Sequence, residues 1–284
     1  MSLKRLVKRI PFCKNAALMF RIFRNINYIN KSYRERLSIY RKRKIQQREG
    51  LPKKIAFEII SRCILDCEFC ILQKLKTWEY RRKDKMSFEE FRKIIDDVSW
   101  FTTDISFSGG EPLINQDIFE MLNYARSQNI STMVATNANL LMYKNNIQKI
   151  IDSPPDELLV SYETLEKEPY DKIRKKGNYD KMIDGIKALI NQKKKRGTYY
   201  PVITLQMVLT KQNMKYESIY KEAVEKLGAD QASIKALGVW PEGNPEYDKK
   251  MVDEYIVPMS DHPISRHEID EQGNIIFHRQ PGEC

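Results

Sequence analysis

The chain has 284 residues, 42% of them hydrophobic, with 49 Lys+Arg against 38 Asp+Glu for a formal net charge of +11. That length fits one large domain with appendages, and that apolar fraction excludes a disordered chain. Its apolar runs, such as Ala16 to Phe20, fall far short of the roughly twenty residues of a membrane-spanning helix, and no solenoid-type repeat is present.

The charge is concentrated at the start. Residues 1–50 carry 15 Lys+Arg and two acids, Glu35 and Glu49, a net of +13 that leaves −2 on the rest. The body is near neutral, so no nucleic-acid partner is predicted for it, and any electrostatic partner is met by this segment. Leu3, Leu6, Val7 and Ile10 recur at helical spacing among Lys4, Arg5, Lys8 and Arg9, a short basic amphipathic helix stopped near Pro11. Ala16 to Ile26 is apolar with Arg21 and Arg24, a polar run ends in Arg41 to Lys44, and Gly50-Leu51-Pro52 marks a boundary. Residues 1–50 thus read as a basic helical extension suited to peripheral contact with an anionic membrane. A transit peptide, an RNA-phosphate contact and a peptide partner are the alternatives.

From residue 53 strand and helix signals alternate. Strands are predicted at Ile55–Ile60, Asp104–Ser108, Ser131–Thr136, Glu157–Ser161, Val202–Leu209 and Ala232–Leu237. Helices are predicted at Ser87–Val98, opened by a Ser87/Glu90 capping box, then around Ile118–Ala125, at Leu141–Ile151, Tyr179–Ile190 and Ile219–Leu227. Six βα units imply a parallel sheet with helices outside, an α/β fold of the partial (β/α)6 TIM-like barrel type spanning 51–240, because a closed eightfold barrel typically needs about 250 residues. Residues 241–284 read as a linker to a further region. In such folds ligands sit at the carboxyl ends of the strands.

The first strand runs into Cys63-Ile-Leu-Asp-Cys67-Glu-Phe-Cys70. The other cysteines are Cys13 and Cys284, and an odd, clustered set does not form a secreted disulfide framework. With no signal peptide evident, a reducing cytoplasm is expected. Three thiolates on one loop suit three irons of a [4Fe–4S] cluster, leaving the fourth iron open. The bland reading is three small buried residues. A zinc site needs a fourth ligand, and no histidine precedes His262. The second strand ends in Gly109-Gly110-Glu111-Pro112, where glycines allow close backbone approach and Glu111 offers an acceptor to a cationic amine.

This pairing, Cys63-x3-Cys67-x2-Cys70 with Phe69 before the last cysteine and then Gly109-Gly110-Glu111-Pro112, resembles the radical S-adenosylmethionine (radical SAM) superfamily over residues 53–240. The resemblance implies an enzyme in which S-adenosylmethionine chelates the open iron and one electron cleaves its sulfonium. The resulting 5′-deoxyadenosyl radical abstracts hydrogen from the substrate. It implies Cys63, Cys67 and Cys70 as iron ligands, Phe69 near the adenine, and Gly109, Gly110 and Glu111 toward the methionine amine. It implies an electron donor such as a flavodoxin or ferredoxin. Thr136-Asn137 resembles a Thr-Asn-Gly run with Ala138 in place of glycine. Ser161-Tyr-Glu163 resembles a Ser-x-Asp-Gly run near the ribose and carboxylate, with Glu163 for Asp and Thr164 for Gly. Arg174 resembles the arginine of a downstream Ile-Arg that pairs with a carboxylate, its alternative being a solvated charge among Lys172, Lys175 and Lys176. Gln206 and Asn213 are lesser interior candidates.

The Ser161 region, Gly177 and Leu227-Gly228-Ala229 resemble the branch with a C-terminal cluster domain, called SPASM. Cys284 resembles the first cysteine of such a tail, so the sequence is either truncated or has lost the tail, and ending on that cysteine favours truncation. The substrate is expected to be a peptide or protein, or a sugar or lipid-linked intermediate. A non-catalytic iron–sulfur or electron-transfer protein is the alternative. Trp78 and Tyr80 are read as core or as a cap on the cluster loop. Lys193 to Arg196 are read as a solvent-facing helix end, and His262, His267 and His278 as surface or local-network groups.

Overall fold

The computed structural model describes residues 51–70, 85–238 and 245–278. From Pro52 on, the described residues belong to one compact unit. The expectations placed on the N-terminal extension, Cys13, Trp78, Tyr80 and Cys284 lie outside the described residues.

Six strands form one parallel sheet in sequence order: β1 (Lys54–Ile60), β2 (Asp104–Gly109), β3 (Ser131–Thr136), β4 (Glu157–Ser161), β5 (Val202–Leu209) and β6 (Gln231–Ala236). Between them lie α1 (Phe88–Val98), α2 (Ile118–Ser127), α3 (Asn146–Asp152), α4 (Lys167–Ile173), α5 (Tyr179–Arg196) and α6 (Glu217–Leu227). Sequential order with right-handed crossovers puts every helix on the same side of the sheet. The burial pattern agrees. Phe107, Val134, Leu158, Val160, Leu205 and Met207 are buried among the helices, whereas Ser106, Met133, Leu159, Ser161 and Gln206, alternating with them, are not fully covered. A sheet covered on its outer face and open on its inner face is the partial barrel expected.

Local chemistry sets the element ends. The Ser87/Glu90 capping box forms, with Ser87 N–H donating to Glu90 Oε2 at 2.9 Å and Glu90 N–H to Ser87 Oγ at 3.3 Å. The strands at 131–136, 157–161 and 202–209 match the sequence reading. The third helix does not: Tyr143–Asn145 form a 3-10 turn with Lys144 and Asn145 at φ 47° and 59°, and α3 starts only at Asn146. Leu141, the expected first residue of that helix, is instead buried as a loop anchor. The helix read as Tyr179–Ile190 continues to Arg196. Within its basic end Lys193 does not face solvent; its side chain is largely covered and pairs with Asp230 at 2.5 Å.

Beyond the barrel lie α7 (Pro245–Glu254) and an antiparallel hairpin, β7 (His267–Ile269) with β8 (Ile275–Phe277). Leu237, Met251, Tyr255, Ile256 and Ile275 form a second apolar cluster there, and Phe69 of the cysteine loop packs against it. His267 is buried against Phe277, with ring centroids 5.3 Å apart.

Candidate active site

The cysteine loop leaves the carboxyl end of β1 and meets the turn that follows β2. Gly110 N–H donates to Ile60 O at 2.7 Å and Glu111 N–H to Arg62 O at 2.9 Å. A β-carbon on Gly109 would collide with the Ile60 carbonyl, and one on Gly110 with the Arg62 carbonyl. The two glycines are therefore required by backbone contact between the loop and the turn.

The next turn is tied in by a carboxylate. Glu111 is fully buried, and its Oε1 accepts from Leu113 N–H at 3.2 Å and Thr136 Oγ1 at 2.8 Å. Its Oε2 accepts from Asn137 N–H at 2.8 Å. Burial pushes its pKa up, and these hydrogen bonds oppose the shift. A carboxylate offers about four acceptor sites, so Oε2 retains one. Asn137 in turn aims its side-chain amide at Cys63 Sγ, 3.7 Å away. Its backbone leads into Ala138, which holds φ 63°, the left-handed conformation a glycine takes without strain.

The fourth strand supplies the other wall. Ser161 is half-buried at the end of β4 on the open face. Two residues on, Glu163 is 1% exposed and forms an ion pair with Arg174, with Arg174 Nε 3.0 Å from Glu163 Oε2 and Nη2 close to Oε1. Arg174 Nη1 reaches Cys67 Sγ at 3.4 Å, and the guanidinium lies 5.8 Å from the Phe69 ring centroid. Arg174 is thus no solvated charge. Its pKa is raised, since the Glu163 and Cys67 contacts outweigh burial. Phe69 also meets Tyr255 edge-on at 5.8 Å. The cysteine loop is pinned to the end of α4 by Asp66 N–H to Lys175 O at 2.9 Å, and Glu68 pairs with both Lys175 and Lys250.

The three thiols are free, and Cys67 is buried. Burial raises Cys63 to about 11, helped by Glu111, Cys67 and Cys70, and it raises Cys67 against the opposing pull of Arg174. Each sulfur lies within electrostatic reach of the others. Among the described residues no three His, Cys, Asp or Glu side chains converge on a single ion. A cubane is different, because each cysteine binds its own iron and the sulfurs stand further apart. N–H donors at Cys63 and Cys67, and a buried Ser61 hydroxyl with no hydrogen-bond partner just ahead of the loop, fit a cluster here.

Sequence reasoning missed Asn139 and Tyr170. Asn139 donates to Tyr170 Oη at 2.7 Å and accepts from Asn178 N–H at 2.9 Å, joining the β3 turn to α4 and α5. The Asn137-x-Asn139 pair was the available signal. Asn213 is buried, and its amide donates to the Glu163 carbonyl at 3.0 Å. Gln206 lies half-buried on the open face.

Fold and site together define a partial-barrel α/β protein with a three-cysteine centre at the carboxyl end of its sheet. Residues 57–223, more than half of the chain, match the Radical SAM superfamily, and the chain belongs to that superfamily. Its members use a [4Fe–4S] cluster and S-adenosylmethionine. The chain is 32% identical over 133 residues to a probable GTP 3′,8-cyclase of Methanococcus maripaludis, covering 46% of this chain and 43% of that protein. It is 27% identical over 190 residues to a tungsten-containing aldehyde ferredoxin oxidoreductase cofactor-modifying protein of Pyrococcus furiosus, covering 65% and 51%. The chain spans about half the length of such relatives. In fold it is similar to Streptococcus suis SuiB bound to S-adenosylmethionine, with a TM-score of 0.57 at 18% identity, covering 84% of this chain and 50% of that one. No helix among the described residues is long and apolar enough to cross a membrane.

Proposed function

We propose that the chain is a radical S-adenosylmethionine enzyme with its catalytic core in residues 51–240 and Cys63, Cys67 and Cys70 as its iron ligands. When bound, the cluster supplies one electron to the sulfonium of S-adenosylmethionine, and the 5′-deoxyadenosyl radical so released abstracts hydrogen from a substrate carbon. The observation that carries the reading is the Gly110–Arg62 contact, which seats the second turn directly on the cysteine loop.

The residues divide the remaining work. Gly109 and Gly110 hold the two loops in register. Glu111 orders the β3 turn and keeps one acceptor site for the donor's amine. Asn137 and Arg174 orient the Cys63 and Cys67 sulfurs and offset their negative charge. Glu163 fixes Arg174, so a ribose contact by its carboxylate competes with that ion pair. The Ser161 hydroxyl is available to the ligand. Phe69, wedged between Arg174 and Tyr255, shields the loop from water.

The substrate is a peptide or protein, or a sugar or lipid-linked intermediate, and the electron donor is of the flavodoxin or ferredoxin kind. We place the enzyme in the cytoplasm, with residues 1–50 as a peripheral contact to anionic membrane, tested by pelleting the chain with and without them on anionic liposomes. The alternative, a non-catalytic cluster protein, draws on the internal engagement of Glu111 and Glu163. Anaerobic reconstitution, reduction and assay for 5′-deoxyadenosine decides between them. Product that vanishes in Cys63→Ala, Cys67→Ala and Cys70→Ala supports the enzyme, and an intact cluster that yields none supports the alternative.

A further inference from the structure

The turn after β3 carries a side chain to the first cysteine. Asn137 Nδ2 stands 3.7 Å from Cys63 Sγ, within hydrogen-bond reach of a sulfur. A side-chain amide can face its surroundings either way round, and its other partner decides which. That partner is the backbone of Asn139, whose N–H donates to Asn137 Oδ1 at 3.0 Å. A backbone N–H can only donate, so the amide oxygen lies there and the NH2 group is left to the sulfur.

This arrangement needs the chain to bend at Ala138, which holds φ 63°. A residue with a β-carbon keeps that conformation only under strain, whereas glycine keeps it freely. Hydrogen bonds supply the restraint. Ala138 N–H donates to Thr136 Oγ1 at 3.1 Å. The Asn139 side chain supplies the rest: Nδ2 donates to Asn137 O at 3.1 Å and to Tyr170 Oη at 2.7 Å, and Oδ1 accepts from Asn178 N–H at 2.9 Å. Both amide hydrogens are used, and Asn139 is buried, so water does not compete for them. Tyr170 is fixed in turn. It is buried, and its carbonyl accepts from Arg174 N–H at 2.7 Å. A β-carbon on Gly177 would come within 2.9 Å of the Tyr170 ring edge and hydroxyl, so only glycine there lets that hydroxyl reach Asn139. The stretch from Tyr170 to Asn178 thus serves two sulfurs. Arg174 reaches Cys67 directly, and Asn139 reaches Cys63 through Asn137.

We propose that Asn139 is a positioning residue that holds the Asn137 amide N–H on the Cys63 sulfur and so raises the reduction potential of the cluster. It does the work that a glycine at position 138 would make unnecessary. The proposal rests on the radical SAM reading, since it takes Cys63 as an iron ligand. An N–H donor on a ligand sulfur favours the reduced cluster, and the partners that aim such a donor act at one remove.

The test is an EPR-monitored redox titration of the full chain loaded with iron and sulfide, without S-adenosylmethionine. Asn139→Ala, although the Asn139 side chain bonds to no sulfur, makes the potential more negative. The reduction equilibrium falls at least threefold, a shift of about 28 mV for one electron. Asn137→Ala shifts it in the same direction, and adding Asn139→Ala to that variant changes nothing further, because one residue acts through the other. Adding Ala138→Gly to Asn139→Ala restores the wild-type potential. That last pair also decides the matter where Asn139→Ala alone does not load: it must load and titrate as wild type. A loaded Asn139→Ala with the wild-type potential overturns the proposal and leaves Asn139 a structural role. So do additive shifts at Asn137 and Asn139, or a glycine pair that fails to load or keeps the shift. Cluster uptake and 5′-deoxyadenosine formation by wild type are scored separately. Their absence counts against the radical SAM reading, whereas a loaded cluster indifferent to Asn139 counts against the proposal alone.

Discussion

Arg174 Nη1 stands 3.4 Å from Cys67 Sγ, and the rest of the guanidinium is gripped by the nearly inaccessible carboxylate of Glu163. A cation and an N–H donor at a ligand sulfur stabilise added negative charge there, which favours the reduced cluster. In the loaded protein Arg174→Gln should therefore shift the cluster's midpoint potential to a more negative value, and Arg174→Lys should shift it less. An EPR-monitored redox titration checks this; an unchanged potential in Arg174→Gln contradicts the contact.

The same pair matters for folding. Removing one member of a buried ion pair strands the other, at a cost of about 3–5 kcal/mol. Glu163→Ala should lose stability of that order in denaturant unfolding, since Arg174 is only 12% exposed. A loss below about 1 kcal/mol would show that Arg174 finds water instead.

Two glycine substitutions separate packing from backbone strain. Gly110→Ala drives a methyl into the Arg62 backbone, which cannot step aside, so a loss of about 3 kcal/mol or more is expected. Gly197→Ala, at φ 62° with nothing within 4 Å of a new β-carbon, meets only left-handed strain of about 1 kcal/mol. Thermal unfolding of both proteins ranks them.

Ala138 offers the reverse test. Glycine there relieves about 1–2 kcal/mol of left-handed strain. Against this stand a lost buried methyl, about 0.8 kcal/mol, and backbone entropy of about 0.5–1 kcal/mol. Ala138→Gly should be nearly neutral, whereas Ala138→Val, β-branched in the same conformation, should be clearly destabilising.

Lys235 carries a pH signature. Its depressed pKa means that the unfolded chain binds more protons than the folded one as pH approaches the ordinary lysine value of 10.5. The cost of partly desolvating that charge is full below the folded pKa and disappears as pH rises toward 10.5. Lys235→Met should thus be more stable than wild type at neutral pH, with the gap closing in alkaline buffer. Equal stability at neutral pH would remove the desolvation argument.

The strands were legible in the sequence because the sheet has one covered face. Alternation in Ser131–Thr136 and Glu157–Ser161 reports burial directly, and their ends match. α3 was misplaced because Leu141 is apolar for a loop's reason, packing beside Gly185, and periodicity cannot distinguish an anchor from a helical stripe. α4 and the β7–β8 hairpin are too short to carry a period. At the site, the cysteine spacing and the glycine turn were readable as local motifs. What Glu163 and Arg174 do to each other was not, since their pairing depends on how the chain folds back from β4 through α4. The packing of Phe69 on Tyr255 joins residues far apart in sequence and left no local trace.

The most direct test of the account is the EPR spectrum of the reduced, reconstituted protein with and without S-adenosylmethionine. A cluster held by Cys63, Cys67 and Cys70 alone has an iron open to the donor, so its signal should change on addition, and the change should be lost in Gly110→Ala protein that still retains iron. A fully loaded cluster whose spectrum is indifferent to S-adenosylmethionine would contradict the account at its centre.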